Sequence, residues 1–116
     1  MKYKYSIIIP CYNEENTVFE VVDAICTRFS ESCVIVVDDG STDSSFNQLT
    51  KVNHNNLSSL KHENNMGKGA AMRTGLHNIL PDTDVVIFTD ADKEILIEDI
   101  SRVVDYYEKN NVDAVF

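Results

Sequence analysis

The sequence predicts an α/β domain in which a mostly parallel sheet carries helices on both faces. Three observations support this. The apolar runs Tyr5 to Pro10, Cys33 to Val37 and Asp84 to Thr89 are continuous rather than alternating, the pattern of strands covered on both sides. Segments with apolar residues at three- and four-residue steps separate these runs, the spacing of amphipathic helices. Two of the runs end in acids, Asp38-Asp39 and Asp90-Ala91-Asp92, and open parallel sheets bind ligands beyond the carboxyl ends of their strands.

Element by element, Tyr5 to Pro10 is a β-branched run closed by proline. Val18, Val22, Ile25 and Phe29 then mark a helix, with Glu14 and Glu15 toward its N-terminal end, where the dipole favours acid. Cys33 to Val37 is a second strand ending at Asp38, Asp39 and Gly40, a turn signal, with Ser41 or Thr42 available to cap a helix over roughly Asp43 to Val52. Asn53 to Asn56 reads as polar loop and Leu57 to His62 as a short strand. From Gly67 to Ile79 a helix carries Gly69, Ala70, Ala71 and Gly75, small residues that permit close approach to a neighbouring backbone; Pro81 ends it. Asp84 to Thr89 is the third strong strand. Ile97, Ile100, Val103, Val104 and Tyr107 stripe a last helix, and Val112 to Phe116 begins another strand.

Composition narrows the function. The 116 residues contain 10 Lys and Arg against 19 Asp and Glu, a formal charge of -9, which opposes binding to nucleic acid unless a cation intervenes. With 43% hydrophobic residues, 4 Gly and 2 Pro, the chain is globular and sized for one domain. No apolar run approaches the roughly 20 residues that span a bilayer. Cys11, Cys26 and Cys33 are odd in number and lack CxxC spacing, so they read as reduced, core-filling thiols of a cytoplasmic protein, with no zinc site.

The chemistry-bearing residues lie mostly just beyond strands. Asp90 and Asp92 are two residues apart, a spacing that aims both side chains to one face of an extended backbone and suits a hard cation such as Mg²⁺ or Mn²⁺. Glu94 could add a third carboxylate; equally, these acids could cap the next helix. One of the adjacent acids Asp38 and Asp39 could meet a nucleobase or ribose, as acids at such strand ends do, or the pair could sit in an ordinary capped turn. Asn65 to Gly69 lacks the glycine and Ser or Thr spacing of a Walker loop, yet Lys68 and Arg73 could meet a diphosphate at a glycine-flanked helix start or stay solvated. His54, His62 and His77 show no metal-ligand spacing, and no Ser or Cys sits in a nucleophile-elbow pattern.

Taken in order, IIIPCYNEE, VIVVDDGSTD, NNMGKGAAMRTGL and VVIFTDADKE resemble the N-terminal half of a family 2 nucleotide-sugar glycosyltransferase, and the third and fourth blocks resemble its polyprenyl-phosphate branch of dolichol-phosphate mannosyl- and glucosyltransferases. The resemblance implies a Rossmann-like, GT-A-type fold with Pro10, Tyr12, Glu14 and Asp39 around the nucleotide base, Tyr12 offering a stacking face. It makes Asp90 and Asp92 the DxD metal pair, with Glu94 where that branch usually has glutamine. Leu96 and Ile97 stand near where the branch tends to have prolines. The expected activity is metal-assisted, inverting transfer of a sugar from a UDP- or GDP-sugar to an acceptor, with a polyprenyl phosphate favoured.

A complete domain of that kind has roughly 200 residues or more, so residues 1–116 are expected to be a truncated donor-binding part without the acceptor half. The parent protein is expected in the cytoplasm, at the membrane face where it carries an anchor, and the exposed sheet edge near Val112 to Phe116 is expected to promote self-association. A non-catalytic nucleotide-sugar-binding fragment is the main alternative. A receiver domain places its acids after the first strand, whereas Asp38 and Asp39 follow the second. A haloacid-dehalogenase-type phosphatase would not follow its DxD with Lys93 and Glu94. A nucleotidyltransferase would show a glycine-rich loop where this chain has CYNEE.

Overall fold

The computed structural model describes residues 4–92 and 97–110. Four strands and four helices alternate along the chain: β1 (Tyr5–Cys11), α1 (Val18–Arg28), β2 (Cys33–Asp38), α2 (Ser45–Leu49), β3 (Leu57–Lys61), α3 (Lys68–His77), β4 (Val85–Phe88) and α4 (Ile97–Asn110). All strand pairs are parallel, in the order β3-β2-β1-β4. The expected strand Val112 to Phe116, with the edge assigned to it, lies outside the described residues, as do Lys93, Glu94 and Leu96.

The continuous apolar runs of β1 and β2 have the physical cause expected of them, whereas β4 is covered less than its sequence predicts, with Ile87 buried, Val85 and Val86 half-buried and Phe88 exposed. Every residue of β2 is buried, as is all of β1 after Tyr5. Period-two alternation then divides the core. Ile7, Ile9, Cys11, Val34 and Val36 pack with Val18, Val22, Ile25 and Cys26 of α1, Leu49 of α2 and Ile100 of α4. On the opposite face Ile8, Cys33, Ile35 and Val37 pack with Ala71 of α3. The sheet is therefore covered on both sides, and each fully buried Ile or Val contributes about 1.5–3 kcal/mol relative to exposure.

β3 differs, with Ser58, Ser59 and Lys61 exposed. Polar and charged side chains on such an edge discourage pairing with another chain.

Three helices differ from their sequence boundaries. α2 begins at Ser45 rather than Asp43, because the Asp43 carboxylate accepts from the Ser45 N–H at 2.9 Å and from its hydroxyl at 2.6 Å. Asp43 thus caps the helix from outside, and Ser41 and Thr42 are engaged elsewhere. α3 ends at His77, short of Ile79 and well before Pro81. α1 begins at Val18, so Glu14 and Glu15 precede it and Glu20 is the acid of its first turn. At the C-terminal end of α1 the buried Asn56 amide nitrogen lies 3.3, 3.2 and 2.9 Å from the carbonyls of Cys26, Phe29 and Ser32, so it serves the Cys26 carbonyl, one of those a helix end leaves without an intrahelical partner, and ties the turn after the helix to the start of β3.

Close approach of α3 to the sheet occurs at one of its small residues in particular. A Cβ on Gly75 would stand 2.5 Å from Ile8 Cγ2, and a β-branched side chain cannot swing aside. Ala71 is fully buried, whereas Gly69 faces outward, where a Cβ would meet only Arg73 Nη1 at 3.6 Å. Gly75→Ala gains about 1 kcal/mol in helix propensity but overpacks the core, which costs about 1–3 kcal/mol. Urea unfolding is expected to show net destabilisation of Gly75→Ala, with Gly69→Ala unchanged or stabilised.

Candidate functional site

The topology fixes where a ligand can bind. β1 is flanked by β2 on one side and β4 on the other, so the chain reverses its direction of strand addition there, and the crevice beyond the carboxyl ends of these strands is the binding position of such sheets. A cleft of about 400 Å³ lies at that place. It is lined by Pro10, Cys11, Tyr12 and Glu14 after β1, Asp39 after β2, Asn65, Gly67 and Lys68 at the start of α3, and Asp90, Ala91 and Asp92 after β4. Of the described candidate ligand-binding residues singled out in the sequence, Asp38 and Arg73 do not line it: Asp38 is fully buried and Arg73 is exposed. Glu94 lies outside the described residues.

The loops after β1 and β2 are joined by side-chain to backbone bonds. Asn13, at φ 52°, donates its N–H to Ser41 Oγ at 2.9 Å and accepts at Oδ1 from the Thr42 N–H at 2.9 Å. The Glu14 N–H donates to Ser45 Oγ at 2.7 Å, and the Ser44 N–H to Glu15 Oε2 at 3.0 Å. Asp38 is fully buried and accepts from the Ser41 hydroxyl at 2.6 Å. The polar run after β2 therefore holds the first loop in shape as well as turning the chain. Tyr12, 43% exposed, is displayed at the rim of this braced pair.

Asp39 is the most heavily engaged acid of the cleft. Its Oδ1 accepts from the Met66 N–H at 2.9 Å and faces His62 Nδ1 at 2.8 Å, while Oδ2 accepts from the Gly67 N–H at 2.8 Å. Burial pushes its carboxyl up, but the His62 hydrogen bond and the two backbone donors outweigh this and leave it below the ordinary carboxylate value. Gly40 completes the turn at φ 68°, and a Cβ there would stand 2.4 Å from the carbonyl carbon of Asn64. The second strand's turn and the loop before α3 are thus in direct backbone contact, which only glycine permits.

His62 had no chemistry in the sequence, and its part in this arrangement comes from strand register. β3 pairs with β2 so that Lys61 stands opposite Asp38, and the His62 N–H continues the ladder to the Asp38 carbonyl at 2.8 Å. The next rung brings His62 beside Asp39.

On the far wall Ala91 is buried in the core while Asp90 and Asp92 on either side are partly exposed and face the cleft. The Thr17 hydroxyl at the start of α1 lies 3.0 Å from the Ala91 carbonyl and 3.2 Å from Glu14 Oε2, anchoring this segment to the first loop. Lys68 Nζ lies 2.7 Å from Asp90 Oδ1, so this wall attracts positive charge. Two carboxylates of hard oxygen fit a Mg²⁺ or Mn²⁺ ion that keeps waters and phosphate oxygens as its other ligands. Among the described residues no group of three His, Cys, Asp or Glu side chains converges for a metal. Cys11 lies on the cleft lining with its thiol pushed up to about 12, by burial first and then by Asp38, Glu14 and Asp43, against a lowering Ser45 hydrogen bond. It is not a thiolate at neutral pH, and all three cysteines are free and buried.

A parallel α/β sheet with this strand order and a cleft at the reversal point is the architecture of the GT-A glycosyltransferases. The chain belongs to glycosyl transferase family 2, whose family model matches residues 6–116. It is 31% identical over 108 residues to the undecaprenyl-phosphate 4-deoxy-4-formamido-L-arabinose transferase of Salmonella paratyphi A, a match covering 87% of this chain and 32% of that protein. Among solved structures it resembles the mannosyltransferase PcManGT of Pyrobaculum calidifontis in complex with GDP-Man and Mn²⁺, with TM-score 0.76 and 22% identity, over 97% of this chain and 34% of that one. It also resembles glucosyl-3-phosphoglycerate synthase of Mycobacterium tuberculosis in complex with Mn²⁺, UDP-glucose and phosphoglyceric acid, with TM-score 0.63 and 27% identity, over 78% of this chain and 33% of that one. The chain spans about a third of the length of these relatives. Among the described residues no helix is long and apolar enough to cross a membrane.

The Asp39 network makes a pH-dependent contribution to stability. Because the folded-state carboxyl lies below its ordinary value, this contribution is complete above the unfolded-state value of about 4 and is lost as pH falls through the lower folded value. Asp39→Asn is expected to be less stable than wild type by about 1–3 kcal/mol at pH 7. Paired urea melts at pH 7 and pH 3 should show the difference narrowing in acid.

Proposed function

We propose that this chain is the donor-binding part of a glycosyltransferase, taking a UDP- or GDP-sugar with Mg²⁺ or Mn²⁺ between the protein and the diphosphate. In the whole protein the sugar passes to an acceptor, for which a lipid-linked phosphate is the best-supported class. The observation that carries this reading is the convergence of Pro10, Tyr12, Glu14, Asp39, Lys68, Asp90 and Asp92 on one cleft at the strand-order reversal. The undecaprenyl-phosphate transferase among its relatives supports the acceptor class. The Mn²⁺ complexes of its structural neighbours support the cation.

Each wall has a task in this reading. The exposed Tyr12 ring offers a stacking face to the base, with Pro10 and Glu14 beside it. Asp39 has one acceptor position left on Oδ2 after the Gly67 N–H, enough for an N–H of the base. Asp90 and Asp92 hold the cation, and in a chain of charge -9 such an ion is needed to bring a diphosphate close. A bound divalent ion supplies Lewis-acid stabilisation of the charge that develops on the leaving diphosphate. Lys68 is placed to turn from Asp90 toward a phosphate oxygen. An acceptor phosphate is already anionic, so its oxygen can attack the anomeric carbon without a strong base in this part of the protein.

Isothermal titration of the chain with UDP and with GDP, in Mn²⁺ and after EDTA, tests the reading. Tight binding only with the ion is expected, and equal affinity after EDTA would refute the cation bridge. Loss of an outer-shell partner alone costs roughly 10–100-fold in metal affinity, so Asp92→Ala is expected to lower nucleotide affinity in Mn²⁺ by about tenfold or more.

Lys68→Met separates binding from stability. An exposed ion pair contributes only about 0–1 kcal/mol, so the melting temperature should barely move while nucleotide affinity in Mn²⁺ falls several-fold. A large loss of stability with unchanged affinity would make Lys68 a structural residue.

A further inference from the structure

We propose that His62 is a positioning residue of the nucleotide cleft, fixing the Asp39 carboxylate that both lines the cleft and folds the Met66-Gly67 turn. The proposal rests on the nucleotide reading above and assigns a role to a side chain that does not line the cleft.

The geometry is specific. The His62 ring has partners at both nitrogens, Asp39 Oδ1 at 2.8 Å from Nδ1 and Thr74 Oγ1 at 2.8 Å from Nε2. Its side chain is 11% exposed and that of Asp39 is 4% exposed, so water does little to share these bonds. Oδ1 of an ionised carboxylate can only accept, so the Nδ1 that faces it carries the proton. In the neutral ring Nε2 then accepts from the Thr74 hydroxyl. The ring is thereby held by α3 on one side and presents a fixed donor to Asp39 on the other.

With His62 and the Met66 N–H on Oδ1, the rotation of the carboxylate is set, and Oδ2 faces the Gly67 N–H at 2.8 Å. Met66 and Gly67 immediately precede Lys68, the first residue of α3 and the partner of Asp90 across the cleft. Remove the ring's donor, and Asp39 keeps one backbone donor on each oxygen but loses its tie to the end of β3 and, through Thr74, to α3. The carboxylate and the turn bonded to it can then shift together, the remaining Oδ2 acceptor position is held less firmly for a base, and preorganisation of that kind is where a loosely supported site loses affinity.

Two measurements on the whole chain test this. Nitrogen-15 spectra of the histidines at neutral pH, which require no substitution, should show His62 Nδ1 protonated; an unprotonated Nδ1 would overturn the proposal. Titration with UDP and GDP in Mn²⁺ should show about a tenfold loss of affinity in His62→Leu. Recovery to within about threefold of wild type is expected in His62→Asn, whose amide can replace the Nδ1 donor, with the circular dichroism of both variants unchanged. Leucine and asparagine variants that bind as tightly as wild type would refute the positioning role. Should His62→Leu fail to fold, Thr74→Val, which leaves Asp39 untouched, is expected to lower affinity about threefold, and unchanged affinity there counts against the clamp. A wild-type chain that binds neither nucleotide refutes the functional reading and the nucleotide role of His62 with it, while the Nδ1 signal still reports whether the Asp39 bond exists.

Discussion

A buried carboxylate must be supplied with donors, and Asp39 draws its donors from two separate parts of the chain: the end of β3 through His62 and the turn before α3 through Met66 and Gly67. Leaving a buried charge unpaired costs several kcal/mol, so these segments are tied to the end of β2 wherever Asp39 stays ionised. The position of α3 follows from that tie, and with it the meeting of Lys68 with Asp90. One side chain thus relates both walls of the cleft. Gly40 serves the same end through the backbone, since any side chain there would push the loop at Asn64 away from the turn.

The two faces of the sheet carry different duties. The face packed by α1, α2 and α4 holds the larger share of the apolar core, and its helices adjoin the braced loops after β1 and β2. The other face is covered by α3 through a smaller cluster, Ala71 and the Gly75 contact with Ile8. The thinner face therefore carries the element that brings Lys68 to the cleft, and the thicker face supports the loops around Tyr12 and Glu14. Stability is distributed unevenly in such arrangements, with ligand-facing elements drawn from the less buried part.

How far the sequence disclosed this depends on the range of each interaction. Strands β1, β2 and β4, and the acids at their ends, are written in short local patterns: continuous apolar runs, a turn signal, a D-A-D spacing whose middle residue is buried. The family blocks placed most of the cleft lining for the same reason, because each block is a contiguous segment after a strand. The role of His62 depends on the register of β3 against β2, and its partner is 23 residues earlier. The brace between Asn13 and Ser41 spans 28 residues. No local spacing encodes either. α2 is shorter than its sequence suggests: at its start Asp43, which looks like a first helical residue, spends its carboxylate on Ser45 as a cap, and at its other end the helix stops at Leu49, before Val52. Arg73, grouped with Lys68 by sequence proximity, stands outside the cleft because α3 turns it toward solvent.

The contact between Gly75 and Ile8 has a mechanical consequence. It lets the later part of α3 rest directly on the sheet, and Thr74 beside it is bonded to His62. Lys68 stands seven residues earlier, about 10 Å along the axis at about 1.5 Å per residue. The helix is thus anchored at both ends, at Gly75 by its rest on Ile8 and just before its first residue by the bonds of Met66 and Gly67 to Asp39. Between these anchors only the long, exposed stem of Lys68 is free to swing. Any change of partner by its ammonium is therefore a matter of side-chain rotation and leaves the helix and the core where they are.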